Sequence, residues 1–321
     1  MENILLTGGA GFIGSNLLRA LLDDERVSLV RVMDNFETGY RQNLEEIKNH
    51  PKFELFEASI CDYDSCSEAM KGITLVSHQA ALGSVPRSIN NPIATNNTNI
   101  VGSLNLFNAA KEEGVKRIVY AASSSTYGDS KTLPKVEDKI GKPLSPYAVT
   151  KYVVELYADV FGKTYDMNFI GLRYFNVFGP HQSPTGAYAA VIPLFMDAVL
   201  NNEGPTINGD GSYSRDFTYV DNVIQANLKA LFTENTEALN QVYNVAYGQK
   251  TTLKELFDYV KNEAKSTLEA NHGPNRVGDI PHSLADISKA QNLLGYNPSV
   301  SVQDGLKIAF QWYKENRKYF V

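Results

Sequence analysis

Tyr147 and Lys151 lie four residues apart in the segment SPYAVTK (145–151). Four residues make about one turn of an α-helix, and a proline such as Pro146 is typical of the first turn. The phenol and the ammonium group would then lie side by side on one helix face. A neighbouring cation favours the ionised form of a phenol, so this pair could take a proton from a hydroxyl group.

The electrostatic energy that this chemistry needs is of the right order. An unperturbed tyrosine has a pKa of about 10, and lowering it to about 7 requires about 4 kcal/mol. A cation about 4–6 Å away supplies about 3–4 kcal/mol at an effective dielectric constant of about 20. Most tyrosine–lysine pairs at this spacing only cover a protein surface, however. Residues elsewhere in the chain must decide between the two interpretations.

A run of hydroxyl groups supports the catalytic interpretation. Ser123, Ser124 and Ser125 follow RIVYA (117–121), which is typical of a buried strand. Ligands of open α/β sheets bind at the carboxyl ends of the strands. The serines and the predicted helix that carries Tyr147 and Lys151 are therefore expected at the same edge of a sheet.

A glycine-rich segment predicts a dinucleotide site at that edge. In LLTGGAGFIGS (5–15), Gly8, Gly11 and Gly14 lie between the first predicted strand and the first predicted helix. Glycines permit a tight turn and a close approach of backbone to a pyrophosphate, which the helix N-terminus then binds. Asp34 ends the second predicted strand, where a carboxylate accepts hydrogen bonds from the adenosine ribose and repels a 2′-phosphate. NAD is therefore favoured over NADP; the alternative is that these residues only form tight turns.

The elements that must position these residues alternate between strand and helix in the first half of the chain. This alternation predicts a Rossmann-type α/β fold with a doubly wound parallel sheet. We expect an NAD-binding domain over 1–175 and a smaller, mainly substrate-binding α/β lobe over 176–321, with some segments of 216–245 returning to the first domain. The predicted strands are 3–7, 29–33, 53–57, 74–78, 117–121 and 169–173. The predicted helices are 12–22, 41–49, 65–71, 93–113, 146–166, 187–200, 221–233, 252–264 and 302–318.

Composition excludes several classes of function. The 321 residues carry a net charge of −6, which argues against nucleic acid or an anionic membrane as the main partner. Two cysteines and five histidines, without the spacing of a metal motif, predict neither a disulfide framework nor a metal site. The sequence shows no targeting segment and no transmembrane run, so a cytoplasmic protein with no membrane partner is expected.

The motifs together resemble the extended short-chain dehydrogenase/reductase family, and within it the nucleotide-sugar epimerases. The resemblance covers essentially the whole chain and rests on TGGAGFIG, HQAALGSVPRS, SSSTYG, SPYAVTKY, LRYFNVFGP, SRDF and GDIPHSLADISKA. The combination is most similar to the UDP-N-acetylglucosamine 4-epimerases. It implies bound NAD, a UDP-sugar substrate and a homodimer that pairs the helices near 93–113 and 146–166.

The resemblance also implies roles for individual residues. Tyr147 would exchange the proton of the C4 hydroxyl while NAD oxidises C4, and the resulting 4-keto sugar would turn over before it is reduced on its other face. Lys151 would bond the nicotinamide ribose, and Ser123 or Ser125 the sugar hydroxyl. The implied cofactor contacts are Gly8, Gly11, Phe12, Ile13, Gly14, Asp34, Asn35, Phe36, Thr38, Gly39, Ser59, Ile60, Gln79, Ala80, Ala81, Asn99, Tyr147, Lys151 and Tyr174. The implied substrate contacts are Gly83, Ser84, Ser123, Ser124, Ser125, Tyr147, Asn176, Ala190, Val191, Asn208, Arg215, Arg276, Asp279 and Ser283.

Two positions bear on substrate specificity, and a third bears on binding of the cofactor's adenine. Ser283 replaces a bulky tyrosine of galactose-specific relatives and would leave room for an N-acetyl group at C2. Gly83 replaces a lysine that is frequent in galactose epimerases, in agreement with the N-acetyl subgroup. Ser59 stands where the family usually has an aspartate that contacts adenine, which puts that contact in doubt.

Other functions stay open at this point. A UDP-glucose/UDP-galactose or UDP-uronic acid 4-epimerase uses the same residues, while a 4,6-dehydratase is disfavoured because SSSTYG contains no carboxylate. A protein of another class, a non-catalytic NAD sensor, would have no need for Tyr147 and Lys151.

Overall fold

The computed structural model describes residues 1–185, 189–274 and 280–317. Its strands are β1 (Glu2–Thr7), β2 (Val27–Asp34), β3 (Phe53–Glu57), β4 (Leu75–His78), β5 (Arg117–Ser123), β6 (Phe169–Tyr174), β7 (Val177–Phe178), β8 (Thr206–Asn208), β9 (Ser214–Arg215), β10 (Thr218–Tyr219), β11 (Gln241–Val245), β12 (Thr251–Thr252) and β13 (Asn271–Gly273). Its helices are α1 (Phe12–Asp23), α2 (Tyr63–Met70), α3 (Val85–Asn90), α4 (Pro92–Asn96), α5 (Gly102–Glu112), α6 (Pro146–Tyr165), α7 (Val191–Leu200), α8 (Val220–Phe232), α9 (Leu253–Glu263), α10 (Ser288–Leu294) and α11 (Val302–Glu315).

The centre of the molecule is a seven-stranded sheet in the order β11-β6-β5-β4-β1-β2-β3. Each neighbouring pair in this sheet is parallel. The strand order reverses between β1 and β4, and ligands of doubly wound sheets bind in the crevice at such a point. The predicted Rossmann-type α/β fold is confirmed.

The two faces of the sheet are covered by different apolar clusters. One cluster includes residues of α1 and α8, and the other includes residues of α2, α5 and α6. In the second, the ring of Phe107 on α5 packs edge-on against Phe169 and Phe161, with centroid distances of 4.9 and 6.0 Å. Because Phe161 lies on α6, these contacts hold that helix against the sheet.

The C-terminal half contributes to both parts of the molecule. Strand β11 extends the main sheet beside β6, and α8 packs against α1. The remaining segments form a lobe around α7, α9 and α11, with the short pairs β8–β13 and β9–β12. The division at residue 175 stays a prediction.

Two predicted helices differ in the structure. The segment predicted at 41–49 forms a 3₁₀ turn over Arg41–Leu44, followed by turns in which Ile47 N donates to Leu44 O and His50 N to Ile47 O. The helix predicted at 93–113 is divided into α4, a π-helical turn over Asn97–Val101, and α5. A π turn inside a helix often accompanies a functional site.

No helix in the described ranges is long and apolar enough to cross a membrane.

Candidate active site

The carboxyl edge of the sheet opens into a cleft of about 520 Å³. It brings together most of the residues that the sequence places at the cofactor or the substrate. Those that line it are Gly8, Gly11, Phe12, Ile13, Gly14, Asp34, Asn35, Thr38, Gly39, Ser59, Ile60, Gln79, Ala80, Ala81, Gly83, Ser84, Ser123, Tyr147, Lys151, Tyr174, Asn176 and Ala190.

The glycine-rich turn between β1 and α1 is packed too closely for side chains. Gly8 has φ +71°, and a Cβ on it would lie 2.7 Å from Ala80 N. A Cβ on Gly14 would overlap with Gly8 O. Gly11 caps α1 without a side-chain hydrogen bond, so first-turn N–H groups remain to bind phosphate oxygens. This cradle fits a dinucleotide pyrophosphate.

Asp34 joins the glycine-rich turn to the end of β2. Its Oδ2 accepts a hydrogen bond from Ala10 N at 2.8 Å, and its Oδ1 accepts one from Phe36 N at 2.8 Å. Burial raises the pKa of this carboxyl group, and the two backbone donors act against the rise. Each oxygen keeps a further lone pair, so the carboxylate fits the predicted contact with ribose hydroxyls.

The predicted acid/base group forms where β5 ends and α6 begins. Helix α6 starts at Pro146, as the sequence predicts. Ser145 caps it, and Tyr147 in its first turn is half-buried in the cleft. Lys151, one turn later, is buried and donates from Nζ to Ala121 O at 2.8 Å. Ser123, the last residue of β5, lies beside the phenol of Tyr147.

Burial has opposite effects on the pKa values of the two titratable groups. It raises the pKa of Tyr147, and the neighbouring Ser123 hydroxyl acts against the rise. It lowers the pKa of Lys151 to about 8, against which the Glu155 carboxylate acts. At pH 7 the protonated ammonium form of Lys151 therefore predominates.

The pKa of Tyr147 is thus shifted in the direction opposite to the predicted one. The sequence-based expectation takes Lys151 as the main source of a lowered pKa, but in the folded chain desolvation of the phenolate raises the pKa, and the Ser123 hydroxyl is the neighbour that acts against the rise. The predicted mechanism therefore needs the further positive charge of an oxidised nicotinamide beside the phenol.

Other predicted residues lie behind the cleft wall. Ser125 donates to Ser123 Oγ from its own Oγ at 2.9 Å and from its backbone N at 3.1 Å. It therefore orients Ser123 and does not line the cleft. Ser124 does not line the cleft either. Asn99 was predicted to contact the cofactor, but its amide is fully used: Oδ1 accepts from Leu82 N, and Nδ2 donates to Leu82 O and Thr150 Oγ1. Asn99 therefore holds the loop after β4.

Phe36 was also predicted at the cofactor and does not line the cleft. Its ring lies under the guanidinium of Arg41, 4.0 Å from Cζ to the centroid, in the turn beyond Asp34. Tyr174, which does line the cleft, donates to Gln79 Oε1 at 3.0 Å. Burial raises the pKa of Tyr174 to about 12, so this phenol stays neutral and does not compete with Tyr147 as a base.

Two substrate-side residues have strained backbones. Ser84 has φ +87° and caps α3, and Asn176 has φ +36° and donates from Nδ2 to Asp216 O at 3.1 Å. A non-glycine residue in this region costs about 1–3 kcal/mol and is typically found at functional sites. Both strained positions line the cleft, which agrees with their predicted roles.

Four further predicted substrate residues, among those that the structure describes, lie outside the cleft wall. Val191 begins α7 and Asn208 ends β8, away from the lining. Arg215 donates from Nη1 to Pro281 O at 3.2 Å, and Ser283 N donates to Ser214 O at 3.1 Å, so these two predicted residues adjoin each other in the lobe. Arg276 and Asp279 lie outside the described residues, as does the segment 186–188.

Sequence reasoning missed several residues of the cleft wall. Many are neighbours of predicted residues. The segment FGPHQSPT (178–185), which begins at the end of β7, was a signal for others, because the segments that follow the carboxyl ends of parallel strands form the site. The missed residues are Met33, Glu37, Tyr40, Ala58, Leu82, Arg87, Thr98, Ala121, Ala122, Val177, His181, Gln182, Ser183, Thr185 and Ala189. Among the described residues, no group of three or more acidic, histidine or cysteine side chains forms a metal site.

Comparison with known families agrees with this geometry. Residues 4–246 match the family model described as the NAD dependent epimerase/dehydratase family. The chain belongs to this family. NAD is therefore its cofactor, in agreement with the glycine cradle and Asp34.

Individual members of the family resemble this epimerase/dehydratase chain over nearly its whole length. A UDP-N-acetylglucosamine 4-epimerase from Methanobrevibacter ruminantium, solved with UDP-N-acetylmuramic acid, is 38% identical with a TM-score of 0.92, covering 98% of each chain. A UDP-glucose 4-epimerase from Thermotoga maritima is 36% identical with a TM-score of 0.91, covering 98% of this chain and 99% of that one. The UDP-glucose 4-epimerase of Mycolicibacterium smegmatis is 33% identical over 97% of this chain and 98% of its own length.

Proposed function

We propose that the chain is an NAD-dependent UDP-sugar 4-epimerase that interconverts UDP-N-acetylglucosamine and UDP-N-acetylgalactosamine. The observation that carries this proposal is the convergence of Tyr147, Lys151 and Ser123 in one cleft with the glycine-rich turn. A 4-epimerase needs a group that removes and returns one proton next to an oxidant, and this cleft places Tyr147 beside the glycine-rich turn that fits NAD.

The protein's own groups act on the C4 oxygen of the sugar. The glycine-rich turn and Asp34 would hold NAD, which would supply reversible oxidation of C4 when bound. Tyr147 accepts the proton of the C4 hydroxyl and returns it to the same oxygen, and the Ser123 hydroxyl donates a hydrogen bond to that oxygen. Lys151 contributes positive charge that stabilises the phenolate. The configuration at C4 inverts without net oxidation if the keto sugar turns over between the two proton transfers.

Space beside Gly83 supports the N-acetylated substrate. Gly83 lines the cleft, and a Cβ built on it would meet no atom within 4 Å. An acetamido group is larger than the hydroxyl that it replaces at C2, and this open space can receive it. Ser283 remains a proposed specificity residue of the lobe, which we propose to be the UDP-sugar-binding part of the chain.

A UDP-uronic acid is the second candidate substrate. Arg87 lines the cleft beside Ser84. A guanidinium group binds a carboxylate with two parallel hydrogen bonds, so it could receive the C6 carboxylate of a uronic acid.

Incubation of the purified protein with UDP-GlcNAc, UDP-glucose and UDP-glucuronate in parallel tests the proposal. We expect UDP-GalNAc to form with the highest kcat/KM and with no NAD added, since the enzyme retains its cofactor through the cycle. Preferential turnover of UDP-glucuronate would favour the second candidate. A protein that binds NAD but converts none of the three sugars would be a sensor.

Exposed apolar residues on α6 and α4 support a homodimer. Val149, Leu156 and Val160 share one face of α6 and are each about half exposed, and Ile93 on the adjacent α4 is 72% exposed. Apolar surface of this kind is typical of an interface, and two α6 helices with their neighbours could form a four-helix bundle. Sedimentation velocity should give a dimer, and a double substitution of Leu156 and Val160 by Glu should give a monomer. A monomeric parent protein would refute the dimer.

A further inference from the structure

A buried ion pair lies one helical turn beyond the proposed catalytic lysine. Glu155 on α6 and Arg173 on β6 form two parallel hydrogen bonds, from Nε to Oε1 at 2.9 Å and from Nη2 to Oε2 at 2.7 Å. Their side chains are only 6% and 4% exposed. Removing two charges from water is costly, and buried pairs are often no more stabilising than apolar residues of similar size. Stability alone therefore gives a weak reason for a pair at this position.

The pair connects the three segments that form the acid/base site. Glu155 follows Tyr147 and Lys151 on the same helix, at intervals of about one turn. Thr126 Oγ1, in the turn after Ser123, donates to Glu155 Oε1 at 3.4 Å. Arg173 directly precedes Tyr174 in β6 and donates from Nη1 to Glu137 O at 2.9 Å. The guanidinium also lies over the ring of Tyr127, 4.9 Å from its centroid.

We propose that Glu155, held by Arg173, is a positioning residue that keeps Lys151 cationic and in register with Tyr147 and Ser123. This inference rests on the proposed role of Lys151 in the reaction. Glu155 lies outside the cleft wall, and its charge acts on Lys151, which lines the cleft.

The charges around Lys151 favour this assignment. The titratable and charged groups around Lys151 and the pair are Tyr147, Glu155 and Asp159 on α6, His78 on β4, Tyr120 on β5, Tyr127 in the following turn, Glu137 in the loop before α6, and Arg173 on β6. Burial favours the neutral forms of the three tyrosines by raising their pKa values, and of the histidine by lowering its pKa to about 3. Asp159 acts on Tyr120, and Glu137 acts on Tyr127 and Arg173. Glu155 is the carboxylate that opposes the fall that burial causes in the pKa of Lys151.

The first test compares Glu155→Gln with Asp159→Asn. Asp159 lies one turn further along α6 and forms a surface pair with Lys163 at 2.7 Å, so its variant removes the same charge from the same helix without touching the buried pair. In Glu155→Gln, the alkaline limb of the kcat profile should move to lower pH by roughly one pH unit, because Lys151 loses its proton earlier. The alkaline limb of the Asp159→Asn profile should lie at the same pH as that of the parent protein.

A second readout is independent of turnover. The pKa of Lys151 can be followed by NMR in protein labelled with [¹³C]lysine, with the signal assigned through Lys151→Arg. The titration midpoint should fall in Glu155→Gln and stay constant in Asp159→Asn. Because no sugar is present, this readout separates a failure of the inference from a failure of the proposed reaction.

A double variant guards against misfolding of the single one. Glu155→Gln leaves the Arg173 guanidinium buried and unpaired, whereas Glu155→Gln with Arg173→Met removes both charges. A folded Glu155→Gln variant with a lowered Lys151 midpoint supports the proposal, as does a folded double variant whose midpoint lies below that of Arg173→Met alone. A folded Glu155→Gln variant with the parent's midpoint and pH profile overturns it. A double variant that cannot fold also overturns it, since the role of the pair would then be structural.

Discussion

Asp34→Asn should weaken NAD binding and reduce the preference for NAD over NADP. The carboxylate accepts two backbone hydrogen bonds of 2.8 Å, from Ala10 N and Phe36 N, and its remaining lone pairs point to a site that suits ribose hydroxyls. Asparagine keeps the shape but offers one oxygen and one NH₂ group. Loss of a charge-assisted hydrogen bond to the ribose costs about 1.5–3 kcal/mol, which is about 10- to 150-fold in the Kd for NAD.

The same substitution affects the protein scaffold, and the two effects can be separated. The NH₂ group of asparagine cannot accept a hydrogen bond, so one of the two buried backbone N–H groups would lose its acceptor. We therefore expect a loss of about 1–3 kcal/mol in the free energy of unfolding. Calorimetric titration of cofactor-stripped protein with NAD and with NADP measures binding, and chemical denaturation measures stability. Asp64→Asn, an exposed residue outside the cleft, controls for loss of one negative charge.

The reasoning would be refuted if Asp34→Asn bound NAD as tightly as the parent protein and discriminated equally well against NADP. A general loss of affinity for both dinucleotides in proportion to the loss of stability would also refute it, because the carboxylate would then act only on the scaffold.

Three further predictions concern the cleft and its surroundings. Lys151→Met should lower kcat at pH 7 by about 10²- to 10³-fold, since a nearby cation stabilises the phenolate by about 3–4 kcal/mol. The loss of kcat should shrink as the pH rises toward the pKa of Tyr147. A loss that does not depend on pH would contradict this prediction. Gly83→Leu should reduce kcat/KM for UDP-GlcNAc by about tenfold or more while UDP-glucose is affected much less; equal losses on the two sugars would remove Gly83 from the specificity argument. Burial lowers the pKa of His78 to about 3. Below about pH 6.5 the unfolded chain therefore binds a proton at this residue that the folded chain does not bind. Between pH 6 and 4, the free energy of unfolding of the parent should fall by about 1.4 kcal/mol per pH unit relative to that of His78→Gln. Urea titrations across that range measure the difference in slope, and equal slopes would show that the imidazole is protonated in the fold.

Much of the fold follows from local patterns. Short apolar runs in alternation with amphipathic segments suffice to predict the parallel sheet, because a strand covered on both faces must be apolar on both. The helix at Tyr147 was predictable from Pro146 and the Tyr–Lys spacing, and it begins where expected. The glycine cradle follows from spacing alone, since only glycine fits the close contacts of Gly8 and Gly14.

The unpredicted parts depend on tertiary contacts. The π turn that divides the helix predicted at 93–113 carries Asn99, whose amide bonds to Leu82 and Thr150 are invisible in the sequence. The direction of the pKa of Tyr147 depends on how far the fold desolvates the phenol. Glu155 and Arg173 lie on the consecutive elements α6 and β6, and their pairing depends on how the helix packs against the sheet, so neither residue stands out in a local motif.

The central claim is that Tyr147 is the group that takes the sugar's proton and gives it back. The most direct measurement is the epimerisation rate of Tyr147→Phe, in protein shown to be folded and to contain NAD, with UDP-GlcNAc as substrate. General acid/base catalysis contributes about 10²- to 10⁴-fold, and we predict a loss of kcat in that range or larger. Epimerisation by the folded, NAD-containing variant at the parent's rate would contradict the account.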